Sequence, residues 1–308
     1  MIWLVDGWEF CPSIIQRVKG RVERTMYEAY IFDLYGTLVD IHTDEEQPYL
    51  WEKMSELYGA MGAVYEPEEL QEEMRRLEAE QKELMLEELV EKASVNGKMM
   101  SLQKDAEEDR TQLYLANQEL DEADRNECPQ ILVEPDLTQV FMQLYQQKDC
   151  PMTEEIARMT AITFRALSRE YLRVYPGVKE TLAELRRRGK RVYLLSNAQR
   201  DFTCPELEML GLTRLFDGIL ISSVEGVKKP SKLFFDRLIK RYHLDPKKCL
   251  MVGNEEKSDI LGAIREGMDS LYIHTDISPK DTKDSRATYC VMSGGFEKAA
   301  EQYLLKDM

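Results

Sequence analysis

The sequence predicts an α/β protein: a doubly wound, Rossmann-like parallel sheet with an all-helical cap inserted after its first strand. Three observations carry that expectation. From Val174 onward, apolar β-rich runs alternate with helical patterns, the texture of parallel strands joined by crossover helices. Between about His42 and Tyr171 there is hardly a strand signal, and amphipathic helical patterns dominate instead. The run "YIFD" near residue 30 has the apolar character of the later strands, so it belongs with them and the helical stretch interrupts their domain.

Taken in chain order, residues 1–25 do not share the α/β pattern of the later chain and read as an N-terminal extension. "MYEAYIFDLYGT", from Met26, is a short lead-in and a first strand, with Asp33 delivered at its end. The insertion occupies 42–171. In "EPEELQEEMRRLEAEQKELMLEELVEKA", Leu70, Met74, Leu77, Leu84 and Leu89 recur at helical spacing, and charges fill the remaining faces. "DLTQVFMQLYQQ" and "TEEIARMTAITFRALSREYL" repeat the pattern, with Trp51, Tyr58 and Phe164 expected to pack inside the cap. The core resumes at 172–308, joining 26–41. Its strands are "RVYLLSN", "DGILISS", "CLMVGN", "SLYIHT" and "ATYCVMS". "ELRRRGK" marks a helix stop: Arg186 to Arg188 complement the dipole of the last turn, and Gly189 supplies the left-handed cap.

Composition narrows the function classes. A net charge of −16 argues against nucleic acid and anionic membrane as partners, since both demand basic patches. The six cysteines are scattered without a C-x-x-C pair, so reduced thiols are expected and a zinc site is not. No run is long and apolar enough to span a bilayer, and no signal peptide is evident. The expectation is a cytoplasmic protein acting on a small molecule, with no indication of its oligomeric state.

In an open parallel sheet, functional groups gather beyond the carboxyl ends of the strands. Those ends carry Asp33, Ser196 with Asn197, and Asn254 with Glu255, while Lys228 and Lys229 lie in the loop after "DGILISS". A carboxylate, a hydroxyl, an ammonium and a polar cluster on one rim suit phosphoryl transfer: attack on phosphorus, grip on its oxygens, charge compensation and Mg²⁺ binding.

"FDLYGTLVD", "LLSN", "GVKKP" followed by "FF", and "VGNEEKSDILGA" resemble, in order, the four motifs of the haloacid dehalogenase superfamily. "YPGVKETLAELRRRGKRVYLLSNA" and "LEMLGLTRLFDGILIS" are similar to its phosphatase-like subfamily with a helical cap. The resemblance covers roughly residues 28–41 and 172–274. It implies a phosphatase acting on a small phosphate ester, with Asp33 as nucleophile forming an aspartyl phosphate. Ser196 would bind the transferring group with help from Asn197, and Lys229 would be the motif-three lysine with Lys228 a solvated neighbour. Gly36 and Thr37 join Asn197, Arg165 and Arg169 as expected substrate contacts. The implied cofactor is Mg²⁺, held by Asp33, the main-chain carbonyl of Tyr35, Asn254, Glu255 and Asp259.

Two departures stand out. Tyr35 occupies the place where the family's phosphatases carry an acid–base aspartate, and a phenol with an ordinary pKa near 10 is a weak base at neutral pH. A cap residue, Asp40 or the substrate would then have to assist. The family's 2-haloacid dehalogenases are similar in having tyrosine there. Asn254 stands where aspartate is usual and brings no charge to a metal, unless Glu255 or Glu256 compensates. Carbon–halogen hydrolysis and a non-catalytic binding role therefore remain open beside phosphatase activity. Plainer alternatives also stand for single residues. Asp33 and Ser196-Asn197 fit turns, Glu255 and Glu256 fit a helix first turn, and Arg165 and Arg169 fit a solvated face.

Overall fold

A computed structural model of the chain describes residues 27–95, 133–278 and 284–306, with only the backbone for 89–95. The proposed extension at 1–25 therefore lies outside the described residues.

Six strands form one parallel sheet in the order β5-β4-β1-β6-β7-β8. They are β1 (Ala29–Phe32), β4 (Arg191–Ser196), β5 (Gly218–Ile221), β6 (Cys249–Gly253), β7 (Asp269–Ile273) and β8 (Tyr289–Val291). Each coincides with an apolar run expected to be a strand. β1 is buried along its whole length because it lies between β4 and β6 and is covered on both faces. Its side chains alternate across the sheet. Tyr30 and Phe32 join one apolar layer with Leu182 and Leu185, while Ala29 and Ile31 join the other with Phe234 and Phe235. Those layers are supplied by crossover helices, among them α5 (Val178–Arg187) and α7 (Lys232–Tyr242). Gly189 caps the end of α5 at φ +76°, as expected. The arginines beside it do more than complement the dipole: Arg186 pairs with Asp217, and Arg187 and Arg188 both pair with Glu184.

The insertion contains α1 (Pro48–Ala60), α2 (Pro67–Val95), α3 (Leu137–Gln147) and α4 (Glu154–Ser168). Their apolar faces meet in one cluster that holds Trp51, Tyr58, Leu70, Met74, Leu77 and Phe164. Leu84 is an exception to the expected face: it is 58% exposed and borders a groove between α2 and α3. Leu89 falls among the residues described by backbone alone.

One further difference concerns the junction. β2 (Val39–Thr43) pairs antiparallel with β3 (Arg169–Val174), forming a two-stranded ribbon through which the chain leaves and re-enters the core. The expected boundaries at 41/42 and 171/172 fall inside this ribbon. Both strands are short, and β3 is partly exposed and rich in charged residues, so "SREYLRV" reads as the end of a helix.

The core reaches into the insertion through α6 (Arg200–Leu210), the helix after β4. Phe202 joins the helical cluster and stacks at 6.1 Å from Phe164. Asp201 accepts a hydrogen bond from Thr138 Oγ1 at 2.7 Å, and Gln199 Oε1 accepts one from the backbone N–H of Leu137 at 3.0 Å. Among the described residues, no helix is long and apolar enough to cross a membrane, and Cys150, Cys204 and Cys249 are free thiols.

Phe164 is fully buried at the centre of the helical cluster, between Trp51, Phe141 and Phe202. Phe164→Ala is expected to cost about 3–5 kcal/mol, measured as a lowered urea midpoint. A change below about 1 kcal/mol would contradict the packing described.

Candidate active site

The parallel register brings three strand ends to one rim. Asp33 follows β1 directly, Ser196 ends β4 and Asn254 follows β6, with β1 between the other two. The backbone N–H of Asp33 donates to Val252 O at 2.9 Å, which holds the start of its loop against β6. The loop then turns sharply at Gly36, where φ is +81°. A side chain there would collide with the Asn254 amide and with Ile277, so the glycine is required by both conformation and space.

At the centre lies Lys229, buried, with its ammonium at 2.7 Å from Asp33 Oδ1 and 2.7 Å from Asp259 Oδ1. A third bond, to Leu195 O at 2.8 Å, fills its donor set. Burial alone would lower the lysine pKa, but Asp259 and Asp33 outweigh it and hold the ammonium above its ordinary value. Burial raises the Asp259 carboxyl to about 7, Lys229 opposes that rise, and the neighbouring Asp33 adds to it. Asn197 fixes the backbone that presents the lysine. Its Oδ1 accepts from Lys229 N–H at 2.8 Å and its Nδ2 donates to Lys229 O at 3.0 Å. Asn197 also borders the cleft, yet these bonds commit its amide to the lysine loop.

The cleft above this cluster measures ≈350 Å³ and is lined by Asp33, Tyr35, Asn197, Lys229, Asn254 and Glu255, with Ser258 and Ile277. A larger groove of ≈490 Å³ between α2, α3 and the turn after β5 contains none of the strand-end residues. Thr37 Oγ1 lies 3.1 Å from Asp33 Oδ2 and 3.2 Å from Asn254 Oδ1. One hydroxyl proton serves one of these two oxygens at a time, so the pair is suited to sharing a cation. Ser196 Oγ is buried and has no protein partner. A buried hydroxyl without a partner is costly.

Several expected residues are placed otherwise. Asp259 does not line the cleft: its Oδ1 receives Lys229 and its Oδ2 receives the Glu255 N–H at 3.0 Å. Gly253 leaves the space that this carboxylate fills. The residues 256–260 wind as a π-helical turn, which accommodates an extra residue between Asn254 and Asp259. Arg165 and Arg169 do not line the cleft. They pair with buried Glu206 on α6, at 2.8 and 2.9 Å, so they are not a solvated face. Lys228 is not simply solvated, since it pairs with Glu134 at 3.2 Å. Glu256 is drawn away to Ser285 Oγ, at 2.6 Å, and to Arg286. Asp40 is buried in the ribbon and paired with Arg173 at 2.6 Å, outside the cleft lining.

Tyr35 has an unexpected partner. Its hydroxyl donates to Glu206 Oε2 and lies 3.0 Å from Thr203 Oγ1. Burial, reinforced by the Glu206 carboxylate and only partly offset by Arg165, raises the phenol well above its ordinary value. The phenol therefore keeps its proton at neutral pH and is no general base. The sequence did contain a signal for Glu206: in "FTCPELEML" it lies one helical turn after Phe202 and Thr203, a carboxylate on the face that faces inward. Ile277 and Thr275 were also missed. They follow β7, whose loop folds over the site through a Thr275 Oγ1 to Gly36 O bond of 2.8 Å.

A family described as haloacid dehalogenase-like hydrolase matches residues 27–267. The glyceraldehyde 3-phosphate phosphatase of Methanothermobacter thermautotrophicus is 30% identical over 117 residues, covering 38% of this chain and 52% of that protein. The phosphoserine phosphatase of Thermus thermophilus is 32% identical over 131 residues, covering 42% of this chain and 52% of that one. The chain thus spans about half the length of the curated relatives it matches. Among solved structures, a 2-haloacid dehalogenase from Pseudomonas syringae pv. Tomato shares the fold with a TM-score of 0.54 at 17% identity, covering 90% of this chain and 97% of that one.

This geometry has two measurable outcomes. A carboxyl raised on folding stabilises most below its ordinary pKa, and that contribution is lost as pH rises through about 7. Asp259→Asn should therefore flatten the decline in unfolding free energy between about pH 4 and about pH 7; an unchanged slope in urea titrations would refute the assignment. Gly36→Ala should lower stability by about 1–3 kcal/mol through strain and collision with Asn254, read from the same denaturation curves.

Proposed function

We propose, from the premise that the chain belongs to the haloacid dehalogenase-like hydrolase family, that it is a phosphoric monoester hydrolase acting on a small phosphorylated molecule. The observation that carries this reading is the Asp33 carboxylate opening on the cleft with Lys229 against its Oδ1 and Thr37 against its Oδ2. The phosphatase names of relatives that match up to 42% of this chain support it.

In the first step a carboxylate oxygen of Asp33 bonds to phosphorus, and the bond from phosphorus to the ester oxygen breaks. Lys229 remains charged throughout and offsets the negative charge gathering on nucleophile and phosphoryl oxygens. Ser196 Oγ, unpartnered at the end of β4, is a donor for one of those oxygens. Water then attacks the acyl phosphate, releasing inorganic phosphate and regenerating Asp33.

The residues present fit Mg²⁺ with a reduced donor set. Asp33 Oδ2 and Asn254 Oδ1 share the Thr37 hydroxyl, the Tyr35 carbonyl is the third expected ligand, and Glu255 borders the same cleft. One or two carboxylates with substrate phosphate and water suffice for this ion. When bound, Mg²⁺ supplies positive charge to the phosphoryl oxygens.

Because the Tyr35 phenol is held by Glu206, the leaving oxygen receives no proton from that position. Turnover should then depend steeply on the leaving group, with aryl phosphates cleaved faster than alkyl phosphates. Steady-state rates across a graded ester series measure this dependence, and a flat series would require an acid elsewhere in the cleft. Asp33→Asn should remove on the order of 10³-fold or more of kcat without loss of fold by circular dichroism. Tyr35 and Asn254 favour a second reading, attack of Asp33 on carbon with halide release. Halide release from an L-2-haloacid without added Mg²⁺, together with no phosphate release from an aryl ester, would establish it instead. Silence on both substrate classes would support a binding protein.

A further inference from the structure

We propose that Glu206 is a positioning residue that ties the loop carrying Asp33 to the helical insertion, so that docking of the insertion and order at the nucleophile loop are one event. Its catalytic consequence rests on Asp33 acting as nucleophile; the physical coupling does not.

Glu206 is 2% exposed and gathers four parts of the chain. Its Oε1 accepts from Arg165 Nε on α4 at 2.8 Å and from Arg169, the first residue of β3, at 2.9 Å. Its Oε2 accepts the hydroxyl of Tyr35, two residues beyond Asp33. Thr203, one turn earlier on α6, contacts the same phenol oxygen at 3.0 Å. The Arg165 guanidinium also lies over the rings of Tyr35 and Phe202, at 5.4 Å from each centroid. The brace therefore joins the nucleophile loop, the helix after β4, the last helix of the insertion and the ribbon through which the chain returns.

Its charges make it cooperative. Two guanidiniums, 11% and 18% exposed, converge on a single carboxylate. If the insertion swings away, Glu206 loses both cations while remaining against Tyr35. If Glu206 is neutralised, two nearly buried cations lose the carboxylate they share. Buried ion pairs are costly to half-break, so the contacts are expected to form and open together. The position where related phosphatases place a proton-transfer carboxylate is thus used here for docking, through the tyrosine ring and its hydroxyl.

The test is hydrogen exchange by mass spectrometry on the full chain, with aryl phosphate kinetics alongside. In Glu206→Gln, exchange is expected to accelerate together in peptides covering 33–38 and 165–174, although the substitution lies in neither. kcat should fall by about tenfold or more while KM changes by less than about threefold, as for a misplaced nucleophile. Glu206→Asp should recover part of both effects. Acceleration confined to 200–210, with unchanged kcat, would overturn the proposal. Should Glu206→Gln fail to fold, Tyr35→Phe removes only the hydroxyl and is expected to give the same paired acceleration at smaller amplitude. Exchange at 165–174 identical to the parent would then overturn the proposal. Exchange needs no substrate, so coupled opening in a chain without phosphatase turnover would reject the phosphatase reading and leave the brace intact.

Discussion

The buried ammonium of Lys229 between Asp33 and Asp259 is the constraint around which the rest of the core is arranged. Removing an ammonium from water costs several kcal/mol even after relaxation, and only well-placed anions and acceptors offset that cost. The fold places both anions and one acceptor by parallel pairing. β1 brings Asp33, the turn after β6 brings Asp259, and β4 contributes the carbonyl of Leu195. Asn197 then fixes the lysine backbone from the same strand end. Removing any one partner leaves a buried charge short of its complement. Asp259 consequently has a structural and electrostatic task, and that task explains why it lies behind the lysine and not in the cleft.

A second buried charge cluster, around Glu206, stands at the other side of the loop that carries Asp33. The two clusters act on Asp33 from different directions. Lys229 contacts the carboxylate itself, whereas Glu206 holds the backbone two residues on through the Tyr35 side chain. Between them the loop has little freedom: Gly36 permits its turn, Thr37 bridges Asp33 and Asn254, and Thr275 fastens the Gly36 carbonyl. For the proposed attack of Asp33 on phosphorus, an ordered loop of this kind avoids reorganisation at the moment of reaction. It also explains why a tyrosine is compatible with the site. Its ring and hydroxyl are used in docking, and its chemistry as an acid or base is suppressed by burial.

Strands were legible where they are buried on both faces. "AYIF", "RVYLLS" and "CLMVG" are apolar runs with few competing readings, and each became a strand of the parallel sheet. The ribbon was not legible, since "VDIHT" and "REYLRV" pair only with each other, across the whole insertion, and remain partly exposed. Leu84 looked like a core position because periodicity reports a helix face and not how closely a neighbouring helix packs against it. Within the site, Asp33 and Lys229 were identified through motifs tied to strand ends and indeed meet. The partners of Arg165 and Arg169 were not, because ion pairing between residues 37 to 41 positions apart leaves no local periodicity.

What the amino-acid sequence determined by itself is the alternation of elements, the family to which the chain belongs and the placing of polar groups at strand ends. These depend on local patterns: burial periodicity, turn residues and the spacing of motifs. What only the tertiary structure decided is which charges face one another. Asp259 and Asn254 sit five residues apart on one loop, yet one turns toward Lys229 and the other toward Thr37. Tyr35 and Asp33 are two residues apart, yet one is held by Glu206 and the other by Lys229. Electrostatic interaction depends on distance and burial in three dimensions. The role of an ionisable residue is therefore settled when the sheet and the helical insertion close around it.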